Sequence, residues 1–340
     1  MSKVSEDIAI VKKEDVEFFI DLFKDINKDL YQLLREARIP NTIKHDDANY
    51  QYLPESTIKN LITILGNEVS QQDFAINIWL ACKKTYVPRF LAKLDAPTTV
   101  HNALSQFCEY LPGVSSAAKV SIQQAGGRWW LIREKAFSHD FWFHYSEIFS
   151  VIFMNELLLA LVGKEWKAEE VGVQAKSIDD FKALPEMGNA QFYAQRPVTA
   201  FSIPDKFMQA TVKLPPLEKT ASDNALLEQE STFLSVFKLV IKPYLSMGKL
   251  SIKWASEILN LHVRTIQRRL DAEGVTYKKL IEDMVLEETL KLLHNPEFTI
   301  TTIASKMGYS DSAHFTRAFK RQMKMTPKQY RHEYLSQREP

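Results

Sequence analysis

The 340-residue sequence predicts an α+β N-terminal domain over residues 1–211 followed by an all-α C-terminal domain over residues 225–340. The C-terminal domain is read as two helix-turn-helix motifs joined by a linker helix, and residues 212–224 as the connection between domains. Three observations carry this reading. A pattern of cap, apolar face, turn and second amphipathic helix occurs twice, about fifty residues apart, in the C-terminal part. Upstream, helical periodicity gives way once to period-two alternation around a Gly-Gly pair and then returns. Charge also divides along the chain. Residues 225–340 hold 18 Lys and Arg against 13 Asp and Glu, a net +5, whereas residues 1–224 hold 25 against 29, a net −4.

In the N-terminal part, Val16, Phe19, Ile20, Phe23 and Leu30 recur at helical spacing, so residues 11–38 are expected to form one opening helix that stops at Ile39-Pro40. Ile58, Leu61, Ile62 and Leu65 predict a second helix after Pro54. A third runs over about 73–82 and is expected to be cut at Val87-Pro88, and a fourth covers 100–110 and ends at Leu111-Pro112-Gly113. Residues 119–123 alternate, Ala125-Gly126-Gly127 is a turn, and residues 128–133 read as the partner strand of a hairpin. A long, very apolar helix follows over about 145–162. Residues 171–175 and 198–204 read as short strands with a short helix near 178–181 between them. Pro215-Pro216 lies in the connection at 212–224.

In the C-terminal part, Ser251 is placed to cap a helix whose apolar residues Trp254, Ala255, Ile258 and Leu259 share a face. Asn260 tolerates the left-handed turn that must follow. In the next helix Ile266 and Leu270 point inward, leaving Arg264, Thr265, Gln267 and Arg268 outward. Arg and Gln carry the paired donors that match guanine and adenine edges in a DNA major groove. The second motif has Ile300, Ile303, Ala304 and Met307 on its apolar face, a turn at Gly308, and a helix with Phe315 and Phe319 inward. Ser312, Ala313, Thr316 and Arg317 are then outward, and Ala313 weakens base readout there. Lys253, Arg269, Lys320 and Arg321 suit phosphates or fold contacts. Residues 277–294 form the connector, roughly 27 Å long at about 1.5 Å per residue, a spacer suited to two helices in successive major grooves about 34 Å apart. Thr326-Pro327 starts a closing helix in which Tyr330 packs back.

Residues from about 225 to 335 resemble the DNA-binding domain of the AraC/XylS family of bacterial transcription regulators. The matching stretches, in order, are Arg264-Thr265-Ile266-Gln267-Arg268-Arg269-Leu270, Ile303-Ala304 with Met307-Gly308-Tyr309-Ser310-Asp311, Phe315-Thr316-Arg317-Ala318-Phe319-Lys320, and Thr326-Pro327-Lys328-Gln329-Tyr330-Arg331. Two positions depart from the family pattern: Asn260 stands at the usual turn glycine of the first motif, and Lys324 where a glycine is common. The N-terminal part is similar, by pattern more than by motif, to the arabinose-binding-type effector domain of the ornithine-utilisation-regulator-like branch. The hairpin followed by a long helix, and Arg196-Pro197-Val198 before a strand, carry this likeness. The resemblance implies double-stranded DNA as partner, with Arg264, Thr265, Gln267, Arg268, Ser312, Ala313, Thr316, Arg317 and Lys320 as its contacts. It further implies a small-molecule effector, a homodimer and contact with RNA polymerase.

Trp129, Trp130, Arg133, His139, Phe141, Trp142, His144 and Tyr145 fall within seventeen residues. An aromatic-lined pocket with a cation would suit a small anionic or amphipathic effector, with Trp130, Arg133, Trp142 and His144 as the candidate ligand contacts. Aromatics at strand and helix starts are also ordinary core residues. No phosphate loop, nucleophile elbow or HExxH motif is present, so no catalytic residue is expected. With two cysteines, Cys82 and Cys108, and no Cys/His cluster, neither a metal nor another cofactor is expected. The first seven residues lack the apolar core of a signal peptide, and the apolar run at 148–162 is short for a membrane span. A cytoplasmic protein without membrane contact is therefore expected. The rival reading is a protein-interaction scaffold that has lost DNA binding.

Overall fold

The computed structural model describes residues 8–23, 29–45, 48, 50–116, 119–134, 142–212, 232–248 and 250–336. Two compact units emerge. One takes residues 9–38 and 55–229; the other takes 1–8, 39–54 and 230–340. Residues 39–54 thus group with the C-terminal helices. The connection expected at 212–224 lies, from residue 213 on, outside the described residues.

The first unit opens with strand β1 (Ile10–Lys12), helix α1 (Lys13–Asp21) and helix α2 (Leu30–Glu36). The single helix expected over 11–38 is therefore corrected. The Asp29 carboxylate accepts from the Gln32 N–H at 2.8 Å and caps a separate helix. Leu30, at the start of that helix, is 39% exposed, whereas Val16, Phe19 and Ile20 of α1 are buried. Strand β2 (Tyr52–Pro54) belongs to the other unit. Helices α3 (Ser56–Glu68) and α4 (Gln71–Ala81) follow, and then α5 (Val87–Leu91). Val87-Pro88 does not cut the chain as expected. A wider π-helical turn over Cys82–Tyr86 joins α4 to α5, and the Val87 N–H reaches the Cys82 carbonyl. Proline at the first turn of the next helical segment surrenders no needed donor.

Helix α6 (Val100–Tyr110) leads into a hairpin of β3 (Lys119–Ala125) and β4 (Arg128–Glu134). Gly126 and Gly127, at φ +61° and +73°, form its two-residue turn, with Ala125 opposite Arg128. Helix α7 (Trp142–Val162) starts earlier than the sequence pattern suggests and has 21 residues. By length and composition it could cross a membrane, which corrects the expectation that this run is too short. Within this fold it is a core helix, with 78% of its most apolar window buried. After it come β5 (Glu170–Gly172), α8 (Asp179–Lys182), β6 (Gln191–Tyr193), β7 (Thr199–Ile203) and α9 (Asp205–Met208). The sheet order is β3-β4-β7-β5-β6, antiparallel except for β5 with β6. Alternation along β4 sends Leu131 and Arg133 to the buried side and leaves Trp130 and Ile132 more open.

Among the described residues, the second unit is helical apart from β2, which packs on α10 (Phe233–Ile241). It continues with α11 (Ile252–Leu259), α12 (Val263–Ala272), α13 (Tyr277–Leu293), α14 (Ile300–Lys306), α15 (Ser312–Met323) and α16 (Pro327–Ser336). Two short-turn helix pairs, α11 with α12 and α14 with α15, therefore flank one longer helix. Thr276 caps α13 by accepting from the Lys279 N–H, and its Leu280, Met284 and Leu293 are buried. The first pair is cored by Ala255, Ile258, Leu259, Ile266 and Leu270, and the second by Ile303, Ala304, Met307, Phe315 and Phe319. Tyr330 of α16 packs its ring 5.9 Å from that of Phe319 and shares a 3.2 Å hydrogen bond with His294.

Candidate nucleic-acid interface

The first helix pair is fixed by local chemistry. The Ser251 hydroxyl accepts from the Trp254 N–H at 3.2 Å and starts α11. Asn260 ends it in the left-handed conformation, φ +53°, as its place at the usual turn glycine requires. The Ser256 hydroxyl then donates to the Leu261 carbonyl at 2.6 Å, and the Leu261 N–H returns to the Ser256 carbonyl at 3.1 Å, clamping the turn. With Ile266 and Leu270 buried, the 3.6-residue period leaves Arg264, Gln267 and Arg268 exposed and Thr265 half-buried. Ser256, His262, Val263, Arg264, Thr265 and Arg268 line one shallow surface concavity. Sequence reasoning misses Ser256 and His262. His262 precedes the helix, where side-chain periodicity says nothing. Among the described residues, the side chains of Arg264 and Gln267 make no hydrogen bond, ion pair or ring contact.

The second pair repeats the construction with other residues. Thr299 accepts from the Thr302 N–H at 3.0 Å to start α14. Gly308 makes the turn at φ +71°. Asp311 accepts from the His314 N–H at 2.6 Å, a contact that holds its carboxyl below the usual range. Phe315 and Phe319 anchor α15 inward, with Ala313, Arg317 and Lys320 exposed and Ser312 and Thr316 half-buried. His314 is exposed beside Ala313, a position that the sequence pattern does not single out. Lys324 adopts φ +62° directly after α15, which accounts for the glycine common at that position. Of the four secondary cations, Arg269 lies 5.0 Å over the Phe233 ring and is a fold contact; Lys253, Lys320 and Arg321 are exposed.

The four candidate ligand contacts separate. Arg133 is buried and lines a partly open cavity of the first unit. Trp130 does not line it and donates from Nε1 to the Ala125 carbonyl at 3.2 Å. Trp142 sits with Lys59 Nζ 4.7 Å from its ring, and His144 Nε2 lies 3.0 Å from Gln71 and 3.3 Å from Asp180. His139 and Phe141 lie outside the described residues. Cys82 and Cys108 are free, and burial pushes the Cys108 thiol up to about 11, so neither its charge state nor its setting suits a nucleophile.

Residues 255–333 match the family model described as "Helix-turn-helix domain". The chain is 37% identical over 87 residues to the HTH-type transcriptional regulator VirS of Mycobacterium tuberculosis, covering 26% of each chain. It is 33% identical over 91 residues to the HTH-type transcriptional activator RhaS of Pectobacterium carotovorum, covering 26% of this chain and 33% of that one. The similarity thus spans about a quarter to a third of the length of these relatives. The solved transcriptional regulator CdpR from Pseudomonas aeruginosa aligns over 89% of this chain and 96% of its own, at 16% identity and a TM-score of 0.37.

Proposed function

We propose that the chain is a DNA-binding transcription regulator of AraC type and not an enzyme, on the premise that residues 255–333 match a helix-turn-helix domain and are similar to HTH-type transcriptional regulators. Both helix pairs are helix-turn-helix motifs in this reading, and α12 and α15 are the recognition helices, placed in successive major grooves. The observation that carries it is the repeated division of faces: each helix buries an apolar pair, Ile266 with Leu270 and Phe315 with Phe319, and exposes two Arg residues, Arg264 with Arg268 and Arg317 with Arg321. In such a complex Arg264, Gln267 and Arg268 read one groove, with Thr265 beside them. Ser312, Thr316 and Arg317 read the next, Ala313 offers a thymine methyl only apolar contact, and Lys320 meets phosphate. The net +5 of residues 225–340 supports attraction to the duplex. A homodimer that binds a small effector through the N-terminal unit, contacts RNA polymerase and works in the cytoplasm completes the proposal.

Exposed Ala313 on the outer face of α15 favours one rival, a protein-docking scaffold that has lost DNA binding. The two diverge on substitution. On a selected duplex, Arg268→Ala is expected to cost about 1–3 kcal/mol and to relax preference at one base position, while non-specific affinity changes little. Binding titrations on the site and on its single-base variants measure this. Equal weakening on every sequence would place Arg268 on the phosphates, and no salt-dependent binding to any duplex would favour the scaffold.

A further inference from the structure

The first unit holds a partly open cavity of about 120 Å³ between its helices and the hairpin. Much of its wall is aromatic. Phe19, Phe149, Phe153, Phe90 and Phe107 form a connected set of ring contacts with centroids 4.9–6.2 Å apart. That volume is close to the roughly 150 Å³ in which an apolar protein cavity takes up one benzene molecule. An aromatic wall excludes water well and gives a ring or short acyl chain the contacts it needs.

Three buried polar atoms in this wall make no hydrogen bond among the described residues, Asp15 Oδ2, Glu55 Oε2 and Arg133 Nη1; the two carboxylates keep ion pairs, with Arg89 and Lys59, and Arg133 has none. Arg133 is 9% exposed, lines the cavity, and its Nη1 meets no hydrogen-bond acceptor among the described residues. Of the two carboxylates that act on its charge, Glu147 is fully hydrogen-bonded, and Glu55 is held in an ion pair through an Oε2 that makes no hydrogen bond. Glu147 accepts from the Gln174 and Ala175 N–H groups and from the Thr199 hydroxyl, and Glu55 pairs with Lys59 at 3.3 Å. Arg89, the other guanidinium in the cavity wall, is likewise committed, to Asp15 at 2.5 Å and to the Glu14 carbonyl at 3.0 Å. Burial lowers the Arg133 pKa to about 10, against the pull of Glu55 and Glu147, so it remains a cation at neutral pH. A buried, charged donor without an acceptor is costly, and an anionic acceptor makes the strongest available partner.

We propose that this cavity binds a small amphipathic carboxylate, about one aromatic ring or a short acyl chain in size, whose carboxylate accepts from Arg133 Nη1. As the identity of an effector this rests on the regulator reading; as a binding site it does not, and binding is therefore measured without DNA.

The test is calorimetric titration of the full-length chain with benzoate, phenylacetate and hexanoate, beside the neutral isosteres benzamide and benzyl alcohol. At least one of the acids is expected to bind at least tenfold more tightly than the neutral compounds. Arg133→Lys, which keeps the charge but not the planar fork, should lose most of that preference. Ile62→Phe, which fills the cavity from α3, should abolish binding, and it serves if Arg133 variants fail to fold. Failure of all three acids to bind overturns the proposal. So does equal affinity for acids and neutral isosteres, or acid binding that survives Ile62→Phe.

Discussion

Gly308→Ala is expected to destabilise the C-terminal unit by about 3 kcal/mol or more, the sum of a left-handed backbone penalty of about 1–2 kcal/mol and an overpacking penalty of about 1–3 kcal/mol. The geometry leaves little room for relief. A Cβ at residue 308, on a backbone with φ +71°, would press on the Gly248 nitrogen and lie 2.5 Å from the Gly248 Cα and 2.8 Å from the Ser246 carbonyl oxygen. All three are backbone atoms, so no side chain can turn aside. Gly274 supplies the control, because it has a similar φ of +74° and no atom within 4 Å of the place a methyl group would occupy. Gly274→Ala should cost only the backbone term, about 1–2 kcal/mol. Thermal unfolding of the full chain measures both. At about 4–8 °C per kcal/mol for a unit of this size, the two variants should differ by roughly 10 °C. Equal shifts would mean that the contact with Gly248 is not tight in solution.

Glu147→Ala is expected to cost the N-terminal unit about 3–5 kcal/mol. The carboxylate is fully buried on α7 and accepts from the Gln174 N–H at 2.6 Å, the Ala175 N–H at 2.9 Å and the Thr199 hydroxyl at 2.7 Å. It thereby ties the core helix to β7 and to the chain leaving β5. Alanine strands two buried N–H donors and a hydroxyl, each unsatisfied group costing about 1–3 kcal/mol, and removes a carboxylate that stabilises the Arg133 cation. Glu147→Gln keeps the shape and one acceptor oxygen, and should cost less than half as much. Denaturant unfolding followed by tryptophan fluorescence reads the change, since Trp79, Trp129, Trp130, Trp142 and Trp166 all lie in this unit. A loss below about 1 kcal/mol for alanine would contradict the assigned hydrogen bonds.

The C-terminal part is largely legible in the sequence because its signals are local. Ser251, Asn260 and Gly308 act on the residues beside them, and Ile266 with Leu270 or Phe315 with Phe319 fix a face within one helical turn. The hairpin is legible for the same reason, through Gly126-Gly127 and strand alternation. Other features depend on distant partners. Nothing around residues 39–54 indicates that they group with α10 and its successors. The break between α1 and α2 is hidden by helical spacing that runs through it, although Asp29 offers a cap signal. The candidate ligand cluster mixes two faces of β4 with the start of α7. Strict alternation from Leu131 separates Arg133 from Trp130, but Trp142 and His144 find their partners, Lys59, Gln71 and Asp180, only in the folded chain.

Capture and sequencing of genomic DNA fragments by the full-length protein, wild type beside an Arg268→Ala, Arg317→Ala double variant, tests the central claim most directly. Two recognition helices held by one connector are expected to enrich sites with two short boxes about 10 base pairs apart, and the double variant is expected to lose that enrichment while remaining folded. Enrichment of a single box would contradict the role of the second helix pair. Enrichment unchanged in the double variant would contradict the assignment of α12 and α15 as the reading helices.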